Sequence, residues 1–116
     1  MQIKSRNKFR QINKHKVDPS KRAWSGCFYE SGNRGWLVTL ENNETAFKAF
    51  KPLDWNHFKI VMDGNKIQTW VNGIAIVDTT DNMSSSGFIG IQFHGASREW
   101  LKDKKSYWKN IKIKEL

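Results

Sequence analysis

The sequence predicts an all-β protein folded as an antiparallel sandwich or barrel. Short alternations of apolar and polar residues recur at near-regular spacing, and clusters of Gly, Asn and Asp separate them. Asp63-Gly64 and Asn72-Gly73 are dipeptides that favour tight hairpin turns. At 116 residues, the chain has the length of a single domain with one modest core.

The stretch 55–77 is the most regular part of this pattern. It predicts a three-stranded meander, with alternating strands at 67–71 and 74–77 following the first one. The two tight turns connect these strands. The rest of the sandwich is expected to pack against this meander.

Other segments fill the fold around the meander. Residues 6–11 are polar and predict a loop, and residues 41–52 predict a turn or two of helix that Asn42 or Asn43 caps. Further strands are predicted at 1–5, 24–30, 35–40, 87–95 and 107–115.

The strand alternations also predict the core, because the apolar face of each strand must be buried. The predicted core consists of Phe58, Ile60, Met62, Ile89, Ile91, Phe93, Ile111 and Ile113.

Charge and composition disfavour two classes of function. The net charge of +9 lies at the two ends of the chain, and residues 1–22 hold eight Lys or Arg against one Asp. This basic segment contains one aromatic residue, Phe9, whereas nucleic-acid binders usually interleave basic and aromatic residues on one surface. Lysines guarding edge strands are therefore the favoured interpretation, with no nucleic-acid partner. No apolar run has the length of a membrane span, and the single Cys27 excludes an internal disulfide.

Two groups of residues are candidates for chemistry, and no metal-binding motif of known spacing occurs. His94 and Gln92 share the face of strand 87–95 that is opposite its aliphatic residues. Tyr29-Glu30 and Arg34-Gly35-Trp36 place a carboxylate, a guanidinium and a ring within eight residues. For the first group, the alternative is that His94 is only a hydrogen-bonded histidine at a strand end. For the second group, the alternative is an ordinary surface ion pair of Glu30 and Arg34 beside a core Trp36.

Trp70 has two interpretations. It shares a strand face with Gln68 and Asn72, so it is either a platform on which a ligand stacks or a ring of a second packed face.

Three blocks of sequence resemble one known family. KAFKPLDWNHFKIVMDGNKIQTWVNGIAIVD, SGFIGIQFHG and WKNIKIKEL are similar to the 3-keto-disaccharide hydrolase family, and VDPSKRAWSGCFYESGNRGWL also follows its pattern. The resemblance covers nearly the whole chain as one domain, 1–116. It implies a concanavalin-like jelly-roll antiparallel β-sandwich.

The sequence departs from the family pattern in two ways. Family domains are longer, so the resemblance implies that the chain corresponds to the latter part of a domain and is incomplete at its N-terminus. Lys16 also stands where the family usually has an acidic residue.

The resemblance implies cleavage of the glycosidic bond of a glycoside already oxidised to a ketone at C3. Glu30 and His94 are then the candidate base and acid, Arg34 or Gln92 polarises or positions the ketone, and Trp36 and Trp70 stack on the sugar. A divalent cation is allowed as cofactor. The family is usually exported, which implies a secreted or periplasmic protein.

Three classes of function follow, and the least favoured is a basic nucleic-acid-binding protein. The favoured one is a hydrolase or lyase acting on an oligosaccharide or glycoside. The alternative is a carbohydrate-binding jelly roll without catalysis, or an inactive fragment, because one fold hosts both. Exposed edge strands also allow oligomers.

Overall fold

The computed structural model describes residues 2–5, 8–11, 25–51, 54–83, 87–90 and 107–116. Within these ranges the chain is built from strands and one short helix, which confirms the all-β prediction. The elements are β1 (Gln2–Ser5), β2 (Lys8–Gln11), β3 (Phe28–Ser31), β4 (Gly35–Val38), α1 (Glu44–Phe47), β5 (Phe58–Asp63), β6 (Lys66–Val71), β7 (Ile74–Thr80) and β8 (Phe88–Gly90).

The strands form two antiparallel sheets. The five-stranded sheet has the order β4-β3-β2-β1-β8, and the three-stranded sheet has the order β5-β6-β7. The second sheet is the predicted meander, and its turns follow the predicted chemistry. Asn72 and Gly73 have φ values of 51° and 82°, as a type I′ turn requires, and Gly64 has a φ of 56°.

The core lies between the two sheets. Along β6, Ile67, Thr69 and Val71 are at most 1% exposed, so this alternation was predicted correctly. Phe28 of the five-stranded sheet joins the same cluster. The buried apolar residues are Cys27, Phe28, Leu40, Ala46, Ala49, Ile67, Val71, Ile76 and Val77.

A bulge explains why two consecutive residues of β7 are buried. Thr69 pairs with Val77, but its neighbour Trp70 pairs with Ala75, so Ile76 is an extra residue in the ladder. Such a bulge turns the extra side chain toward the same face as its neighbour. Ile76 and Val77 accordingly are 7% and 1% exposed.

The short helix matches its prediction and completes the core. The side chain of Asn43 accepts a hydrogen bond from the backbone N–H of Ala46, as an N-cap does. Ala46 and Ala49 are buried, and Phe50 packs against the cluster. Neither this helix nor any other part of the described chain forms a helix that could cross a membrane.

The predicted core is only partly correct. Phe58 and Met62 pack against the cluster and Ile60 is half-buried, but Ile89 is 47% exposed. Ile91 and Phe93 lie outside the described residues.

Two segment predictions were wrong. Residues 8–11, expected to form a loop, form β2, because hydrogen bonds to β1 and β3 outweigh their polar composition. Residues 107–116, expected to contain the last strand, form no strand. Asn110 there has a φ of 53°, which interrupts an extended chain, and Ile111 and Ile113 are 52% and 71% exposed.

Candidate functional site

Strand β3 separates the predicted site residues onto two faces of its sheet. Phe28 and Glu30 are each 1% exposed and therefore face the inside of the sandwich. Tyr29, between them, is half-buried on the outer face, because successive strand residues alternate. Glu30 and Tyr29 therefore lie on opposite faces of the five-stranded sheet.

On the inner face, Glu30 is held by the turn that follows β3. The Nε of Arg34 donates a hydrogen bond to Oε2 of Glu30. The Nδ2 of Asn33 donates to the other carboxylate oxygen, Oε1, at 3.1 Å. Glu30 and Arg34, which the sequence grouped, are thus in direct contact.

Asp81 completes this group and was not predicted from the sequence. Nη1 and Nη2 of Arg34 donate to Oδ1 and Oδ2 of Asp81 at 3.1 and 2.8 Å. Asp81 follows β7 directly, and its backbone N–H donates to the carbonyl of Asn65 at 2.8 Å. It is separated from Arg34 by 47 positions. A carboxylate directly after an alternating strand was the available signal, but it does not identify a partner.

Two carboxylates surround the Arg34 guanidinium. Hydrogen bonds that Arg34 donates to Asp81, and then to Glu30, raise the pKa of Arg34 above its usual value, although desolvation by burial opposes this. Arg34 therefore stays a cation between two carboxylates. A general base has to reach within hydrogen-bond distance of the proton it removes. Glu30 is 1% exposed, and its carboxylate accepts hydrogen bonds from Arg34 and Asn33.

On the outer face, two rings of neighbouring strands form an exposed pair. Tyr29 and Trp36 are partners in the β3–β4 ladder, and their ring centroids lie 4.9 Å apart with planes tilted by 56°. Trp36 is 37% exposed. Trp36 thus belongs to the opposite face from Glu30, and the two do not converge.

The same ladder row continues across the five-stranded sheet. Tyr29 is in register with Gln11, Gln11 with Gln2, and Gln2 with Gly90 of β8. Residues that are directly opposite in register share a face of the sheet. An aromatic pair therefore begins a row of register partners that crosses all five strands and ends at Gly90 of β8.

A scan against protein-family models gives a result that is independent of this geometry. Residues 4–114 match the model of the 3-keto-alpha-glucoside-1,2-lyase-like domain. The chain belongs to this family. The resemblance drawn from the sequence is therefore confirmed over nearly the whole chain. No curated protein matches the sequence significantly.

Trp70 lies apart from both groups. It alternates with buried Thr69 and Val71, so it is on the outer face of the three-stranded sheet. Nζ of Lys59 lies 4.9 Å from its ring centroid, a cation–π contact. Trp70 therefore covers this sheet, on the far side from Glu30 and Arg34.

The remaining predicted site residues, Gln92 and His94, lie outside the described residues. Among the residues that are described, His, Cys, Asp and Glu form no cluster of three that could hold a metal ion.

Proposed function

We propose that this member of the family cleaves 3-keto glycosides on the outer face of the five-stranded sheet. The observation that carries the proposal is the row from Trp36 through Tyr29 to Gly90, in a chain whose family model spans residues 4–114. Aromatic rings stack on the apolar face of a sugar.

The sugar ring is placed against Tyr29 and Trp36. Trp36 has the greater stacking role, because 37% of it is exposed. The two rings bind the substrate at the β3–β4 edge of the sheet. Its reacting carbons, C1 and C2, point along the row toward β8. Trp70, on the outer face of the other sheet, has no role in this site.

The reaction is an elimination across C1 and C2. The ketone at C3 acidifies the C2 proton; a base removes it, the electron pair forms the C1–C2 double bond, and the C1–oxygen bond breaks. The aglycone leaves as an alcohol once its oxygen takes a proton, and water adds to the double bond afterwards. Such a site needs a base whose pKa is near the working pH.

We assign the base to His94 and a positioning role to Gln92. In the sequence, Gly90, Gln92 and His94 occupy alternate positions, and Gly90 ends the row of the proposed site. Histidine has an ordinary pKa of about 6.5, which suits a base at neutral pH. Glu30 was the other candidate, and its burial and its partners argue for a structural role instead.

A second function has its own support. A carbohydrate-binding domain without catalysis needs the exposed Tyr29–Trp36 pair but no free acid or base. Both carboxylates nearest to the β3–β4 turn, Glu30 and Asp81, are engaged by Arg34. This alternative predicts binding of a glycoside without its cleavage.

Release of a chromogenic aglycone distinguishes the two functions. The probe is 4-nitrophenyl α-glucoside oxidised at C3, with the unoxidised glucoside as control. Turnover of the oxidised probe alone, above its uncatalysed rate, supports the lyase. If the chain binds the probe but the aglycone is released no faster than without protein, the result supports the binding domain.

A matched pair of variants locates the site. Trp36→Ala is expected to raise KM by about tenfold or more, if sugar stacking is comparable to the stacking of a nucleobase on an aromatic side chain, which contributes on the order of 1–3 kcal/mol. Trp55→Ala removes a ring that is 53% exposed elsewhere, and KM should stay unchanged. Equal effects of the two variants would remove the outer face of the five-stranded sheet from the proposal.

A further inference from the structure

The pair of Arg34 and Asp81 joins two segments that lead to the proposed glycoside site. Arg34 ends the turn Gly32–Arg34 and stands two positions before Trp36. Asp81 begins the connection from β7 to β8, and β8 carries Gly90 at the far end of the row. This ion pair thus links the turn before Trp36 to the end of β7.

The geometry of this pair is suited to positioning. Its two parallel hydrogen bonds, of 3.1 and 2.8 Å, fix the plane of the guanidinium as well as its distance. The side chain of Asp81 is 7% exposed and that of Arg34 is 32% exposed, so water competes little at the carboxylate. Lysine, a point charge on a flexible chain, does not reproduce this geometry.

The third member of the group holds the turn from its other side. Nε of Arg34 is bonded to buried Glu30, which precedes the turn in β3 and neighbours Tyr29. The guanidinium is therefore fixed along two edges, one toward each sheet. A shift of Asp81 moves Arg34, and with it the turn that sets the position of Trp36.

We propose that Asp81 is a positioning residue of the glycoside site, which acts through Arg34 on the ring pair of Tyr29 and Trp36. This inference rests on the proposed function. Asp81 contacts no substrate. It holds the end of β7 and the β3–β4 turn in one arrangement, in which Tyr29 and Trp36 are positioned to meet the sugar.

The test compares Asp81→Asn with two controls. Asp81→Asn keeps the shape of the side chain but replaces one acceptor oxygen by an amide donor that faces Arg34. Asp78→Asn makes the same change three positions earlier, in an exposed pair whose Lys66 Nζ lies 4.0 Å away. Val77→Ala lowers stability in the core without changing the pair.

The expected result is that Asp81→Asn changes the kinetic constants, whereas Val77→Ala changes only the stability of the protein. Asp81→Asn should lower kcat/KM on the oxidised 4-nitrophenyl glucoside by about tenfold to a hundredfold, with a rise in KM, because small misplacements of binding groups have effects of this size. Asp78→Asn and Val77→Ala should keep both constants at temperatures where they are folded. Arg34→Lys should lose at least as much as Asp81→Asn, because it also removes the Nε bond to Glu30, and the double variant should show no loss beyond that of Arg34→Lys.

Other outcomes overturn the inference. If Asp81→Asn melts at a lower temperature but keeps its kcat and KM, the pair only stabilises the fold. If the losses of the two single variants add in the double variant, Asp81 does not act through Arg34. If the wild-type chain neither cleaves nor binds the probe, the proposed function fails and this inference fails with it. Failure confined to the variants leaves the proposed function standing.

Discussion

The hydroxyl of Thr69 donates a hydrogen bond to the backbone carbonyl of Gly26 at 2.8 Å, across the space between the two sheets. Thr69 belongs to β6 of the three-stranded sheet, and Gly26 precedes β3 of the five-stranded sheet. Both lie in the buried interior. A polar contact therefore fixes how the two apolar faces meet.

Thr69→Val is expected to destabilise the protein by about 1–3 kcal/mol, because the change keeps the shape but leaves the buried carbonyl of Gly26 without its donor. Urea unfolding measures this loss. Thr80→Val is the control, because Thr80 is exposed at the end of β7 and its replacement should change stability by less than about 0.5 kcal/mol. Equal stabilities of the two variants would show that the hydroxyl has no role between the sheets.

Gly26→Ala should be more damaging than Gly64→Ala. An added Cβ at Gly26 would lie 2.8 Å from Cγ2 of buried Val71, in a backbone with a φ of +85°. At Gly64 the φ is +56°, and nothing lies within 4 Å of the added atom. The strained backbone costs about 1–2 kcal/mol at either position. Overpacking adds about 1–3 kcal/mol at Gly26 alone. Chemical denaturation of both variants gives the difference, and a value near zero would contradict the close approach of β6.

Asn72 ties the second hairpin turn to the segments beside it. Its Nδ2 donates to the carbonyl of Ala49 at 2.7 Å, and its Oδ1 accepts from the backbone N–H of His57 at 2.9 Å. Asn72→Gly keeps the positive φ but loses these bonds, and a loss of about 1–3 kcal/mol is expected. Asn110→Gly makes the same change at a φ of 53° in an exposed segment and should be nearly neutral. Thermal melts that rank the two variants in the reverse order would argue against this role.

The buried thiol of Cys27 makes the free energy of unfolding decrease at alkaline pH. The thiol is 0% exposed, and burial raises the pKa of Cys27 from 9.0 to about 12. The unfolded chain therefore loses this proton first, and stability falls as the pH rises from 9 toward 12. Relative to Cys27→Ala, the free energy of unfolding should fall by about 1.4 kcal/mol per pH unit in that window. A difference that stays constant with pH would show that the thiol is accessible to solvent.

The sequence predicted the three-stranded meander well, for a physical reason. Strands β5 to β7 are consecutive, and their turns depend on local chemistry at Gly64, Asn72 and Gly73. Local signals suffice when a strand pairs with its neighbour in the chain. The alternation of Ile67 with its neighbours then predicted the buried face correctly.

The sequence predicted the strands less well where they pair with strands that are far away along the chain. Strand β1 pairs with β8, and the polar residues of β2 become a strand because they lie between β1 and β3. Ile89 alternates like a core residue, but 47% of it is exposed. Alternation shows which residues share a face and does not show what covers that face.

In the candidate site, too, contacts between residues close in the sequence were predicted and contacts between distant residues were not. The close spacing of Glu30 and Arg34 predicted their contact, but Asp81 joins them from the other sheet. Trp36, two positions after Arg34, proved to share a face with Tyr29 instead of Glu30. A short distance along the sequence did not determine the side of the sheet.

The central claim is elimination across C1 and C2 of a 3-keto glycoside, and proton NMR in deuterated water tests it most directly. The wild-type chain should release the aglycone together with loss of the C2 proton, giving first a C1–C2 alkene and then a 3-keto sugar that carries deuterium at C2. His94→Ala, with an unchanged thermal melt, should leave the glycoside intact. A free 3-keto sugar that keeps its C2 proton, or full turnover by His94→Ala, would contradict the account.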